Sequence, residues 1–498
     1  MTLSTLIIRI AIAAIILTLV VGFWKKGQKS WLMTFAQNFC GVLFLFSGWV
    51  KAVDPLGTAY KMEQYFDEFY STFEATWFGF LAPIFPVLSE YAIWFSLFMI
   101  IFEIMLGLML VLGTKTKFTS WAFLLLVAFF TVLTGFTYLT GHVPSGVNFF
   151  NFAEWGSYNA NNMKVTDCGC FGDFIKLEPK TSFFKDVFLL IPSLFFVFRH
   201  KDMHQLFSKK TNSTILWLAL VALVYYCFAN FKWDIPHADF RPFKEGTDIR
   251  AQFEAERDAM AAVKITDWEL KHNETGERLI VANDEYLGNY KDYKGVYSVV
   301  EQIKGKPAIP ITKISDFEIT DIDGNDITED ILGKTAPHFL IVNYKLYGDP
   351  KAKKEIVRDS LFMLDTMVVF NADSGIEDTV VMEKFDRIVE NEETVIERNW
   401  KQGYIDTHVN KLKPFTDAAM EEGFQVLMAV GGSDKEAIAD FNNTTGLNLD
   451  YGMADDILLK TIVRSNPGIV LMQDGKILNK WHIRKLPDYE KVADKYLR

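Results

Sequence analysis

Cysteine is scarce in this chain. Four occur in 498 residues, and none follows Cys227. That density excludes a disulfide-built scaffold. It also excludes dithiol chemistry in the second half of the sequence. A basic surplus is missing as well: the net charge of −11 argues against a nucleic-acid binder, which needs a positive footprint. There is no Walker A loop, Gly-x-Gly-x-x-Gly, Cys-x-x-Cys-His, Gly-x-Ser-x-Gly or His-Glu-x-x-His. Nucleotide, haem and hydrolase functions therefore find no support. No Cys/His set has the spacing of a zinc site, so no metal is expected.

What is present is apolar. Hydrophobic residues make up 50% and aromatics 15% of the chain, which excludes disorder. The length suits two to four domains. Charge divides the chain in two: residues 1–231 carry 16 Lys+Arg and 13 Asp+Glu, residues 232–498 carry 35 and 49. Long apolar runs occur only in the first half. This pattern reads as a membrane domain followed by an acidic soluble domain.

A span needs roughly 20 mostly apolar residues. Six segments qualify: Leu3–Trp24, Trp31–Val50, Ala92–Leu112, Ser120–Thr140, Phe183–Phe198 and Thr214–Phe231. The fifth is short and carries Lys185 and Asp186 near its start, which makes it the weakest. The first has no basic cluster before it and no small-residue cleavage site after it, so it reads as a span and not a signal peptide. Loops 25–30, 113–118 and 199–210 carry the lysines and read as cytoplasmic. The long loops 51–91 and 141–182 then lie outside. With an even number of spans, the N-terminus and the tail from 232 lie outside too, in the periplasm of a bacterial plasma membrane.

Loop 141–182 holds Asp167-Cys168-Gly169-Cys170-Phe171-Gly172-Asp173. Two thiols one residue apart on an oxidising face invite a small, strained and exchangeable disulfide. Gly169 would supply the unusual backbone angles of such a ring. The neighbouring Asp167 and Asp173 oppose a thiolate. Redox exchange and a structural loop clip stand level on this pattern. Cys40 reads as a small buried hydrophobe, and Cys227 as a partner for the loop pair. Lys51 and Asp54 are close enough for a local ion pair, with Lys51 a snorkelling anchor. Glu103 lies mid-span, where an ionisable group marks a function by default. It has no basic partner visible at that depth. Proton handling and helix packing are its two roles. The stretch Tyr60–Phe73 reads as an amphipathic helix in the interface plane.

Phe46-Ser47-Gly48-Trp49-Val50-Lys51-Ala52-Val53-Asp54-Pro55, Glu103-Ile104-Met105-Leu106-Gly107 and Cys168-Gly169-Cys170-Phe171-Gly172 together resemble the DoxX-like superfamily, and within it the MauE-type branch. The resemblance covers about 31–200. It implies a four-helix membrane core and a part in disulfide formation or maturation of periplasmic proteins, with quinone as an electron acceptor in relatives. It implies Cys168 and Cys170 as the redox pair. Lys51, Asp54, Glu103, Gly107, Gly169, Phe171 and Gly172 fall on the motif positions. A leading span over 1–30 and the long tail depart from that family's pattern, so methylamine use is not carried over.

In the tail, 232–311 reads as a linker and outer layer, with a helix over Asp248–Lys264 followed by amphipathic and turn-rich pieces. From about 312 buried-strand runs alternate with helices. The strands are His338–Tyr344, Gln425–Val430 and the Asp474-Gly475 hairpin after Asn466-Pro467. This order resembles a thioredoxin-like domain of the TlpA kind over 312–498, with Pro467 in the family's cis-proline place and an insertion near 347–395. The family's dithiol is missing, so the domain is expected to bind or dock and not to exchange disulfides. The fold class expected is therefore an α-helical polytopic membrane bundle of about six spans with a four-helix DoxX-like core, plus a soluble α/β thioredoxin-like domain lacking the active-site dithiol. The expected function is periplasmic thiol–disulfide or protein-maturation chemistry with a client or thiol oxidoreductase as partner. The rival is a membrane-anchored adaptor whose cysteine pair is a staple.

Overall fold

The computed structural model describes residues 2–25, 29–159, 162–163, 165, 169–371 and 376–498. Cys168 and Asp167 lie outside them. The first half is helical: α1 Leu3–Leu19, α2 Trp31–Val53, α3 Pro55–Glu74, α4 Ile84–Glu90, α5 Ala92–Leu112, α6 Thr116–Thr140, α7 Pro179–Arg199 and α8 Lys209–Phe228. Among the described residues, six helical segments are long and apolar enough to cross a bilayer: Leu3–Phe23, Trp31–Val53, Ala92–Leu112, Thr116–Thr140, Pro179–Asp202 and Lys209–Trp233. All six anticipated spans are present. The fifth is longer than its apolar run, because Lys185 and Asp186 turn inward and do not end it.

Local chemistry sets the helix ends. The Asp54 side chain accepts a 3.0 Å hydrogen bond from the Gly57 N–H, and Pro55 occupies the first turn of α3. Both are start signals. At the end of α5, Gly113 takes a left-handed φ of 65° that a side chain would resist. Helices α2 and α5 approach closely at glycines. A Cβ on Gly107 would sit 2.9 Å from the Gly41 carbonyl oxygen and 2.9 Å from the Leu45 nitrogen. Around that contact Met33, Cys40, Phe44, Leu106, Leu110, Phe123 and Phe196 form one buried core.

The stretch Tyr60–Phe73 is helical within α3. It packs inward through Met62, Tyr65 and Phe66, and the Tyr65 hydroxyl lies 2.9 Å from the Thr137 hydroxyl on α6. Cys227 is fully buried against Ala52, Leu97, Ile100 and Ile104. It therefore packs as a small hydrophobe and forms no bond to Cys170, while the other member of the loop pair, Cys168, lies outside the described residues.

The tail is α/β. After α9 Ile249–Ala261, the strands β1 Ile265–His272, β2 Arg278–Ala282 and β3 Tyr297–Lys304 form an antiparallel sheet in the order β2-β1-β3. Helices α10 Asn283–Gly288 and α11 Tyr290–Tyr293 lie between β2 and β3 in sequence. This sheet replaces the turn-rich pieces expected there. Its strands are half exposed, so they lack the continuous apolar run that marks a strand.

A second sheet has six strands. Its members are β4 Thr320–Asp321, β5 His338–Asn343, β8 Gln425–Gly431, β9 Asp450–Ala454, β10 Gly468–Gln473 and β11 Lys476–His482, in the order β11-β10-β5-β8-β9-β4. β5, β8 and β9 run parallel, while β10 and β4 join the sheet antiparallel. Between β5 and β8 in sequence, β6 Gly348–Asn371 and β7 Ile376–Trp400 pair, among the described residues, only with each other, as a long ribbon.

Alternating residues feed two cores. Phe339 and Ile341 point to one face with Phe415, Ile438, Phe441 and Val492. Leu340 and Val342 point to the other with Ile249, Leu332, Leu459 and Ile462. The remaining helices cover these faces: α12 Thr328–Leu332, α13 Gln402–Thr407, α14 Lys413–Glu421, α15 Lys435–Thr445, α16 Asp456–Ile462 and α17 Tyr489–Tyr496. At the Asp474-Gly475 turn both residues have positive φ, 50° and 71°, as a tight hairpin requires. The Asn466–Pro467 bond is cis.

Candidate functional site

The turn that carries Cys170 runs from Gly169 to Phe174. Gly169 and Gly172 take φ of 59° and 50°. The chain folds back twice, with the Gly172 N–H bonded to the Gly169 carbonyl at 3.1 Å and Phe174 N–H to Phe171 carbonyl at 3.1 Å. Two left-handed positions in four residues explain the glycines. Phe171 is buried in the membrane core, and the Ser47 hydroxyl donates a 2.8 Å bond to the Cys170 carbonyl. The turn is thus pinned to α2.

Cys170 carries a free thiol, and no disulfide joins the described cysteines. It faces a chamber of about 300 Å³, also lined by Lys51, Glu103, Thr134, Lys185 and Asp186. Lys51 donates a 2.6 Å bond to Glu103, and both side chains are buried. Glu103 therefore does have a basic partner at its depth. Lys51 turns inward to it and neither snorkels nor pairs with Asp54. Lys185 pairs with Asp186, whose second carboxylate oxygen accepts a 3.1 Å bond from Thr134. Burial pushes the Cys170 thiol up; Lys185 and Lys51 pull against this, and Asp186 and Glu103 add to it.

The tail contributes the remaining wall of the chamber. Arg464, in the segment between α16 and the cis bond, reaches Asp54 at 2.9 Å and Asp173 at 3.7 Å. Its guanidinium lies 5.1 Å from the Tyr60 ring centroid. Lys460 meets Glu63 at 3.5 Å, and Phe240 packs 5.0 Å from Phe174, ring to ring. Burial works to raise the Asp54 carboxyl, but Arg464 and then Arg241 outweigh it and hold it below its usual range.

Residues 29–146 match the family model of methylamine utilisation protein MauE. The match spans about a quarter of the chain. No curated protein and no solved structure matches. The MauE-like segment contains α2 through α6 and so supplies Lys51, Asp54, Glu103 and Gly107. Cys170, Lys185 and Asp186 lie beyond it. Gly107 sits at the α2–α5 contact, away from the chamber. Pro467 begins the approach to β10 and does not line the chamber. Among the described residues no cluster of His, Cys, Asp and Glu is fit to hold a metal.

Sequence reasoning did not assign Ser47, Thr134, Lys185, Asp186 or Arg464 to the site. For Lys185 and Asp186 the signal was available, because a charged pair inside an apolar run is expensive unless it faces the interior. For Arg464 there was none, since its partner Asp54 lies 410 residues earlier.

Proposed function

We propose that this multi-pass protein supports thiol–disulfide or protein-maturation chemistry on the periplasmic face of a bacterial plasma membrane, with Cys168 and Cys170 as the exchanging pair. One observation carries this reading. Cys170 lies on a turn pinned to the bundle and faces a chamber walled by two buried ion pairs. A purely structural clip has no need of buried charges around it.

In the exchange, a client thiolate attacks one sulfur of a Cys168–Cys170 disulfide and forms a mixed disulfide. A second client thiolate then displaces the remaining sulfur. The client loses two electrons and two protons and gains a disulfide, while Cys168 and Cys170 become thiols. A lipid-soluble quinone would supply the acceptor for the two electrons and two protons given up when Cys168 and Cys170 return to the disulfide. Glu103 serves proton handling or packing through its bond to Lys51.

The region 312–498 acts in this reading as a thioredoxin-like docking module, separate from a membrane domain over 31–231 and a linker over 232–311. The parallel β5-β8-β9 core flanked by the β10–β11 hairpin, and the cis Asn466–Pro467 bond, support that likeness. Without cysteine after Cys227 it grips a partner and passes no electrons.

The test is the redox state of envelope proteins in cells carrying Cys168→Ser or Cys170→Ser. Loss of client oxidation, with a client trapped on the remaining cysteine, is the expected result. An unchanged client, together with a strongly reducing potential for the pair, would instead establish an anchored adaptor whose disulfide is a staple.

A further inference from the structure

Four of the charged groups that line the chamber beside Cys170 form two ion pairs, Lys51 with Glu103 and Lys185 with Asp186, and each pair is neutral as a unit. A thiolate formed there adds a negative charge at a partly buried position. Such a charge is disfavoured unless a counter-charge is already in place. Of the cations near the turn, four are committed elsewhere. Arg464 is tied to Asp54 and Asp173, Lys176 stands 3.8 Å from Asp173, and Lys61 bonds Gln64 at 3.1 Å. Lys51 is held by Glu103 at 2.6 Å, with its ammonium 5.0 Å from the Phe130 ring centroid.

Lys185 differs. Its ammonium lies 5.9 Å from the ring of Phe171, the residue next to Cys170. Its partner Asp186 adjoins it in sequence and is held from behind by Thr134. Lys185 also exerts the largest pull of any charge on the Cys170 sulfur.

We propose that Lys185 is the counter-ion of the Cys170 thiolate and that Asp186 holds it in readiness. When the thiolate forms, the S–H bond breaks and its proton leaves to water. The Lys185 ammonium turns from the Asp186 carboxylate to the sulfur. The cation is already in the chamber, so ionisation needs no counter-ion from outside. This deepens the thiol-exchange reading and rests on it for its biological purpose.

The experiment measures the pH dependence of Cys170 alkylation by iodoacetamide. It uses the full chain in nanodiscs, with the other three cysteines replaced by serine. Lys185→Met is expected to move the profile to higher pH and slow alkylation at neutral pH by about tenfold, the size of a one-unit shift. Lys185→Arg keeps the wild-type profile. Asp186→Asn moves it the other way, because Lys185 loses its competing partner. Damage to the fold would move Lys185→Met and Asp186→Asn together. Shifts of the same sign, or none, overturn the proposal. The two readings can also fail separately. If Cys170→Ser leaves client oxidation intact while the opposite shifts persist, thiol exchange falls and the counter-ion role stands. If client oxidation is lost and the profiles do not move, the counter-ion role falls.

Discussion

Lys51 on α2 donates a 2.6 Å hydrogen bond to Glu103 on α5, and the two side chains are 8% and 3% exposed. The pair ties together the helices that also meet at Gly41 and Gly107. Removing one partner strands the other charge. Glu103→Gln is expected to destabilise the protein by about 3 kcal/mol or more. The double change Lys51→Met with Glu103→Leu should recover much of that loss, since neither charge is then left buried. Thermal unfolding in detergent checks both, and equal losses in the single and double variants would contradict the pairing.

Arg464→Met should loosen the tail from the bundle. It removes the contacts to Asp54 and Asp173 and the packing over Tyr60. Protease cleavage in 232–248 and alkylation of Cys170 should both accelerate, the latter by about tenfold or more, as expected when a buried ion pair worth about 1.4 kcal/mol or more is lost. Arg464→Lys keeps the charge but loses the fork, and should fall between.

Acid should undo the same junction. Arg464 holds Asp54 below its usual value of 3.8 against the effect of burial. Inside the tail, Asp239 is also lowered, to about 2: burial opposes this, and its partners Arg241 and Lys480 outweigh it. Both groups have depressed folded values. Their contribution is complete above the ordinary carboxylate range and is lost as pH falls through the folded values. Tail release, followed by proteolysis, should therefore begin below about pH 4. Asp239→Asn should flatten the profile toward pH 2.

His408 makes the tail sensitive to milder acid. Its Nδ1 lies 2.8 Å from the Tyr404 carbonyl, and its Nε2 lies 3.1 Å from the Asn343 amide nitrogen. Burial lowers the imidazole from 6.5 to about 4. Between those values the unfolded chain binds a proton that the folded chain refuses, so stability falls as pH drops from 6.5 toward 4. The loss should be about 3 kcal/mol. Denaturant unfolding at stepped pH measures it, and His408→Gln should flatten that slope.

Gly107→Val should break the α2–α5 contact, because backbone atoms of Gly41 and Leu45 stand 2.9 Å from where its Cβ would go. Neither can yield without moving a helix. The expected loss is about 3 kcal/mol, read as a lower melting temperature in detergent.

Much of the fold was legible in single stretches of sequence. The six spans are read from length and apolarity, because a bilayer imposes a fixed thickness on any helix that crosses it. The runs at 338–344 and 425–430 are strands buried on both faces, which explains their unbroken hydrophobicity. The half-exposed strands of 265–304 escaped notice, because their mixed patterning resembles a loop.

The chain alone determines that this protein has a membrane half and an acidic α/β half, and that no cysteine lies beyond Cys227. Periodicity, apolar length and residue counts are local properties, and they need no partner to be read. The tertiary structure alone decides that Lys51 turns to Glu103, that Arg464 takes Asp54, and that Lys185 shares a chamber with Cys170. A charge takes whichever opposite charge shares its dry space, and sequence distance has no bearing on that choice.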